Sequence, residues 1–254
     1  MSGPAHLIGM TAAAAVLSYA PAITSVDFDP SSQAASEAYA YYSAGEGDNA
    51  VRSALRAVEE NPDNIDYRLL LSDALTLAGR PTEALEVLVP LSDEQDYRVQ
   101  TRLAQSAWDS HQPELAAQAF QAAARLSTEG ESRAYLWRAA VMALIEANRR
   151  DEALRTFDQA WSAQAMQGYA PLDTANIALA VGRDAEALWA FDQAQRVEPL
   201  WGRSALDAGY AAQRVGLQDR AIWYFRHALS SWPSDLGTAR RAEIEAFVQQ
   251  SSVD

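Results

Sequence analysis

One stretch of the chain occurs twice. Gly182–Pro199 reads GRDAEALWAFDQAQRVEP, and Gly216–Pro233 reads GLQDRAIWYFRHALSSWP. Ala187, Phe191, Ala194 and Pro199 return as Ala221, Phe225, Ala228 and Pro233, each 34 residues later. Residues at i, i+3, i+4 and i+7 share one face of a helix, so each copy is a helix with a narrow apolar stripe. A single such helix cannot hide its stripe. A neighbouring copy can, and self-similarity at this period implies stacked repeats.

The same helix recurs four more times upstream. The corresponding residues are Ala153, Phe157 and Ala160, then Ala116, Phe120 and Ala123, then Ala84, Leu88 and Leu91. The first copy has Ala50, Ala54 and Ala57, closed by Pro62. From the first copy onward the leading alanines are 34, 32, 37, 34 and 34 residues apart. The two irregular gaps fall at Ser92–Asp96 and Ser127–Glu131, which read as loops of changed length.

This pattern resembles the tetratricopeptide-repeat family. The second-helix residues match in nearly every copy. The first-helix residues match in part, through Tyr41, Gly79, Leu103-Ala104, Trp137, Gly182 and Gly216. The resemblance implies an all-α, right-handed solenoid of about six helix–turn–helix repeats over residues 31–233. Residues 234–254 would supply a capping helix and tail, with Ile244, Phe247 and Val248 facing the stack. Helix pairs are predicted at 33–44 with 48–60, 64–78 with 81–91, and 96–109 with 113–126. They continue at 131–147 with 150–164, 171–181 with 184–196, and 203–215 with 218–230.

Composition narrows the chemistry. All 20 basic residues are arginine, and the chain contains neither lysine nor cysteine. That excludes a P-loop, a Schiff-base lysine, a thiolate nucleophile, a disulfide and any cysteine-ligated metal. The net charge of −14 argues against general nucleic-acid binding, which needs a basic surface. His6, His111 and His227 are far apart and lack a second ligand at helical spacing, so no metal site is expected. Asp184 and Glu186 open a predicted helix, where the helix dipole favours them, Asp93-Glu94 fall in a loop, and Glu59-Glu60 end the helix at 48–60. The serines lack a G-x-S-x-G elbow. No enzyme activity and no cofactor are therefore expected. The arginine- and alanine-rich composition points to a GC-rich bacterial genome.

Residues 1–30 differ from the rest. Leu7–Ala22, LIGMTAAAAVLSYAPA, is apolar and uncharged and ends in Ala20-Pro21-Ala22. It reads as a secretory signal peptide without the usual basic start, as a retained membrane or partner anchor, or as a buried N-terminal helix. It is short for a span of about twenty residues. An exported, periplasmic or envelope-associated location follows from the first two readings, and a cytoplasmic one from the third.

The family resemblance places a binding groove along the first helices. At those register positions stand Tyr42, then Leu69, Asp73 and Thr76, then Arg98, Gln105, Trp108 and Asp109. Tyr135, Arg138, Met142 and Glu146 follow, then Tyr169, Asn176 and Leu179, and lastly Arg203, Tyr210 and Arg214. The groove for a partner is expected to be carried by Trp108, Tyr135, Arg138, Met142, Asn176, Arg203, Tyr210 and Arg214, because arginine and aromatics enrich binding surfaces. Packing between neighbouring helices is an equal use for Trp108 and Tyr135. Chaperone-binding members of the family clamp a C-terminal carboxylate. Asn176 and Arg203 match two clamp positions, but Leu172 and Asp207 break the other two.

Leu206–Leu229 followed by Arg240-Arg241 is similar to the last repeats of the phage adsorption protein A family, whose outer-membrane barrel this chain lacks. The combined expectation is a protein–protein interaction scaffold that binds a partner segment or subunit, in a bacterial cell envelope. The alternatives are a periplasmic subunit of a surface-polysaccharide assembly, with aromatics stacked on sugars, and a structural subunit of a membrane complex.

Overall fold

The computed structural model describes residues 32–250, so the expected leader at 1–30 and the last four residues of the expected tail lie outside it. The described residues form thirteen α-helices and no strand. The chain divides into two compact units, with described residues 32–160 and 161–250.

The first unit contains α1 (Gln33–Ser43), α2 (Gly47–Glu60), α3 (Ile65–Leu77) and α4 (Pro81–Leu88). It continues with α5 (Tyr97–Asp109), α6 (Pro113–Leu126), α7 (Gly130–Glu146) and α8 (Arg150–Ser162), which closes the unit at Ala160. Helices adjacent in sequence pack in pairs, and α3 also touches α1 and α5. The starts are set by side chains that take up free backbone N–H groups. Ser32 accepts from Ala35, Asn64 from Asp66 and Tyr67, and Asp96 from Arg98. Pro81 and Pro113 occupy first-turn positions, where no donor is lost.

The second unit contains α9 (Pro171–Ala180), α10 (Asp184–Val197), α11 (Gly202–Arg214), α12 (Gln218–Ser230) and α13 (Thr238–Gln250). Ile244 of α13 is buried, and Phe247 meets Phe225 edge-on at 5.4 Å. Among the described residues no helix is long and apolar enough to cross a membrane.

The turn inside each helix pair is the same structure six times. Gly45 donates to the Tyr42 carbonyl at 3.0 Å, and Glu46 donates to that of Tyr41 at 2.9 Å. The same two bonds close the turns at Gly79, His111, Asn148, Gly182 and Gly216. This is the Schellman arrangement, which needs a left-handed residue after the helix. Four of the six positions are glycine. His111 and Asn148 adopt φ of 56° and 59° with a side chain present. His111→Gly is accordingly expected to stabilise residues 32–160 by about 1 kcal/mol in a denaturant melt.

The repeated stripe packs as its spacing requires. The leading alanines 50, 84, 116, 153, 187 and 221 are all fully buried, and so are Phe157, Phe191 and Phe225. Two elements depart from the period. The second helix of repeat two was expected over 81–91, yet α4 stops at Leu88 and a 3-10 turn covers Val89–Leu91. Pro90 lacks the N–H that would continue the helix and disfavours a helical residue before it. In repeat five the 34-residue spacing hides a longer connection between Ser162 and Pro171, compensated by a ten-residue α9.

Gly209 of α11 lies directly against the Phe225 ring of α12. A methyl group there would lie 2.4 Å from the Phe225 ring. That ring is held by Tyr210 at 5.3 Å and by Phe247, so it cannot retreat freely. Gly209→Ala is expected to cost about 1–3 kcal/mol through overpacking, despite alanine's better helix propensity. Thermal melts of the two proteins check this.

Candidate functional site

The first helices of four successive repeats converge on one pocket in the first unit, with a volume of about 250 Å³. Tyr42 comes from α1, Ser72, Asp73, Thr76 and Leu77 from α3, and Tyr135 from α7. The α5 side is made by Thr101, Arg102, Gln105 and Ser106, and Phe120 of α6 completes the lining. Five of these residues stand at groove positions read from the sequence: Tyr42, Asp73, Thr76, Gln105 and Tyr135.

At the centre is a buried ion pair. Arg102 Nε and Nη2 donate to the two carboxylate oxygens of Asp73 at 2.7 and 2.8 Å. Both side chains are only 5% exposed. Arg102 Nη1 also donates to the Arg98 carbonyl at 3.3 Å, which ties the fork to its own helix. Burial pushes the Asp73 carboxyl above its usual range, while the hydrogen bonds from Arg102 pull it back. Above the pair, Arg98 bridges Asp66 at 2.8 Å and Asp96 at 2.7 Å.

Tyr135 is the pocket's unfinished contact. It is 4% exposed, and its buried hydroxyl has no hydrogen-bond partner. Burial raises its pKa to about 12, with Arg138 lowering it.

The other residues expected on the groove are dispersed. Arg138 and Met142 are buried at 4% exposure, because α7 is covered on every face from Ala134 to Leu144. Trp108 is half-buried and lies outside the pocket. Asn176, Arg203, Tyr210 and Arg214 belong to the second unit. There Arg214 forms a two-bond pair with Asp184 at 2.8 and 2.7 Å, and Arg203 pairs with Asp235. Tyr210 packs on Phe225, and Asn176 is half-buried. The residue missed in the sequence is Arg102. The available signal was Asp73 itself, a carboxylate inside the apolar run LLLSDALTL, which needs a cation from a neighbouring helix.

The second unit holds a separate perturbed group. Burial pushes the Asp207 carboxyl up to about 6, against the pull of Arg203, Arg214 and Arg240. A carboxyl raised on folding favours the folded state once protonated, so its contribution worsens as pH rises from about 4 through 6. Asp207→Asn is expected to stabilise the protein at pH 7 by up to about 2 kcal/mol, with the variant-minus-parent difference shrinking as pH falls from about 6 to about 4 and levelling off below that. Melts across that pH range check this.

No family model matches the sequence, and a search of the curated proteins finds no match. Neither comparison shows the likeness to the phage adsorption protein A family. Solved structures do match. One is YrrB, described as a TPR protein with an unusual peptide-binding site, at 14% identity and a TM-score of 0.56, covering 80% of this chain and 100% of that one. Another is PilF of Pseudomonas aeruginosa, at 18% identity and a TM-score of 0.51, covering 82% of this chain and 93% of that one. The paired helices, the sixfold turn and these matches together give the conclusion that the chain has the all-α tetratricopeptide-repeat solenoid fold.

Proposed function

We propose that the chain is a non-enzymatic scaffold that holds a segment of a protein partner against the first-helix face of residues 32–160. The pocket carries this reading, because four repeats there surround one concave, partly polar space with an unsatisfied hydroxyl. The peptide-binding site described for YrrB supports it by likeness of fold.

The test is a random peptide library panned against the full chain. Thr76→Trp would fill the pocket from an exposed position on α3, and Glu86→Trp would place the same ring on exposed α4. Selected peptides should bind the Thr76 variant at least about tenfold more weakly and the Glu86 variant unchanged, with both variants melting like the parent. Equal binding to both would remove the pocket from the account.

We place the scaffold in a bacterial cell envelope, with residues 1–30 exporting or anchoring it, on the composition of Leu7–Ala22. Cell fractionation with and without residues 1–30, together with sequencing of the mature N-terminus, tests this. A soluble cytoplasmic product with Met1 retained and no change on truncation would contradict it.

A second reading, a subunit of surface-polysaccharide machinery, is favoured by one observation. Trp189, Trp201 and Trp223 are 37–50% exposed in the second unit, and the His227 ring lies tilted against Trp223 with centroids 4.0 Å apart. Binding on a glycan array, lost on replacing Trp201 and Trp223 by alanine, would support it.

A further inference from the structure

The charges around the pocket already pair with one another, and this decides what it takes. Arg102 and Asp73 hold each other through two hydrogen bonds, and Arg98 bridges Asp66 and Asp96. Three wall hydroxyls are turned onto their own helices. Ser72 donates to the Leu69 carbonyl at 2.7 Å, Thr76 to that of Ser72 at 2.9 Å, and Thr101 to that of Tyr97 at 2.8 Å. The accessible lining is mainly carbon, and the rings of Tyr42, Phe120 and Tyr135 contribute to it.

A cationic guest would leave water and meet no carboxylate in the wall that is not already paired. An uncharged ring has no such cost, and it gains offset or edge-on contact with other rings. The size agrees. A dry cavity of about 150 Å³ holds benzene, so a space of about 250 Å³ takes one phenyl or indole group. Neutral donors remain beside it, namely the hydroxyls of Tyr42 and the buried Ser106 and one N–H of Gln105. Arg102 also keeps two N–H groups outside its bonds to Asp73 and the Arg98 carbonyl. These donors suit the carbonyls of a peptide backbone. A carboxylate that took them would face Asp73 and a chain of net charge −14, both of which oppose it.

We infer that this pocket is the anchor for one uncharged aromatic side chain of the partner segment, a phenylalanine or tryptophan, with the backbone carbonyls beside it accepting from the wall donors. The inference rests on the proposed scaffold reading and adds the chemical class of the anchor.

The probes are the N-acetyl methylamides of phenylalanine, alanine, arginine and glutamate. Each is titrated into the full chain, and the ring signals of 13C-labelled tyrosine are followed, with Tyr42 assigned from the Tyr42→Phe spectrum. The phenylalanine probe is expected to saturate the Tyr42 signal with millimolar affinity, and the other three to bind at least about tenfold more weakly. This comparison is made on the parent chain and depends on no variant. Thr76→Trp, which fills the pocket, should remove the response to phenylalanine, and Glu86→Trp should leave it unchanged.

Peptides selected from the library should share an aromatic residue whose replacement by alanine weakens binding at least about tenfold. Arginine, glutamate or alanine binding as tightly as phenylalanine would overturn the inference. So would no response to phenylalanine, or a response that survives in a folded Thr76→Trp chain. Selected peptides that bind through the Thr76 face without a shared aromatic residue would leave the binding face intact and remove only its aromatic anchor.

Discussion

Arg102→Met is expected to destabilise residues 32–160 by about 3–5 kcal/mol. The loss comes from Asp73 rather than from the missing attraction. Asp73 is 6% exposed, and the fork from Arg102 is what holds its charge in a buried setting. Without the guanidinium the carboxyl must stay charged and unpaired or take up a proton, and either is costly. The double variant Asp73→Leu with Arg102→Met is expected to recover most of the stability, since a buried pair replaced by apolar groups of similar size is often neutral. Urea melts of the four proteins form a double-mutant cycle with a coupling of at least about 2 kcal/mol. Independent, additive losses would show that the pair is not the unit holding α3 to α5. The double variant also separates fold from function, because it would keep the helices stacked while altering the pocket wall.

Phe225→Ala is expected to remove about 3–5 kcal/mol from the unit formed by residues 161–250. The ring is fully buried, touches the backbone of α11 at Gly209, and lies edge-on to Tyr210 and Phe247. Its removal leaves a cavity at the meeting of α11, α12 and α13. Collapse is limited because three helices border the space. Native-state hydrogen exchange should show protection lost first in α13, which packs through Phe247 on this ring and through the buried Ile244. Protection unchanged in α13 would mean that the last helix is held by other contacts.

The repeat was legible because its cause is local. Ala187, Phe191 and Ala194 share a face by spacing alone, and the same spacing at Ala221, Phe225 and Ala228 needs no tertiary knowledge. The turns were legible where glycine occupies the left-handed position and less so at His111 and Asn148, which adopt the same geometry with a side chain. The pocket was only half legible. Tyr42, Asp73, Thr76, Gln105 and Tyr135 stand at the first-helix positions that the family resemblance implied. Arg102 does not, and its partner is 29 residues away on another helix.

Helix α7 shows the limit most clearly. A register argument assumes one exposed face, but residues 134–144 are buried without interruption, and Arg138 and Met142 are enclosed with them. The arginines at 203 and 214 illustrate a second limit. Sequence shows that a cation is present, but not that Asp235 and Asp184 of the same chain already meet it.

The proposed partner segment lies in the pocket built by α1, α3, α5 and α7. The most direct measurement is an isotope-filtered NOE experiment on the full chain bound to a library-selected peptide. Peptide contacts to the rings of Tyr42, Phe120 and Tyr135 and to the Thr76 methyl are expected. Contacts confined to second-helix residues such as Glu86, Trp189 and Trp223 would contradict this placement.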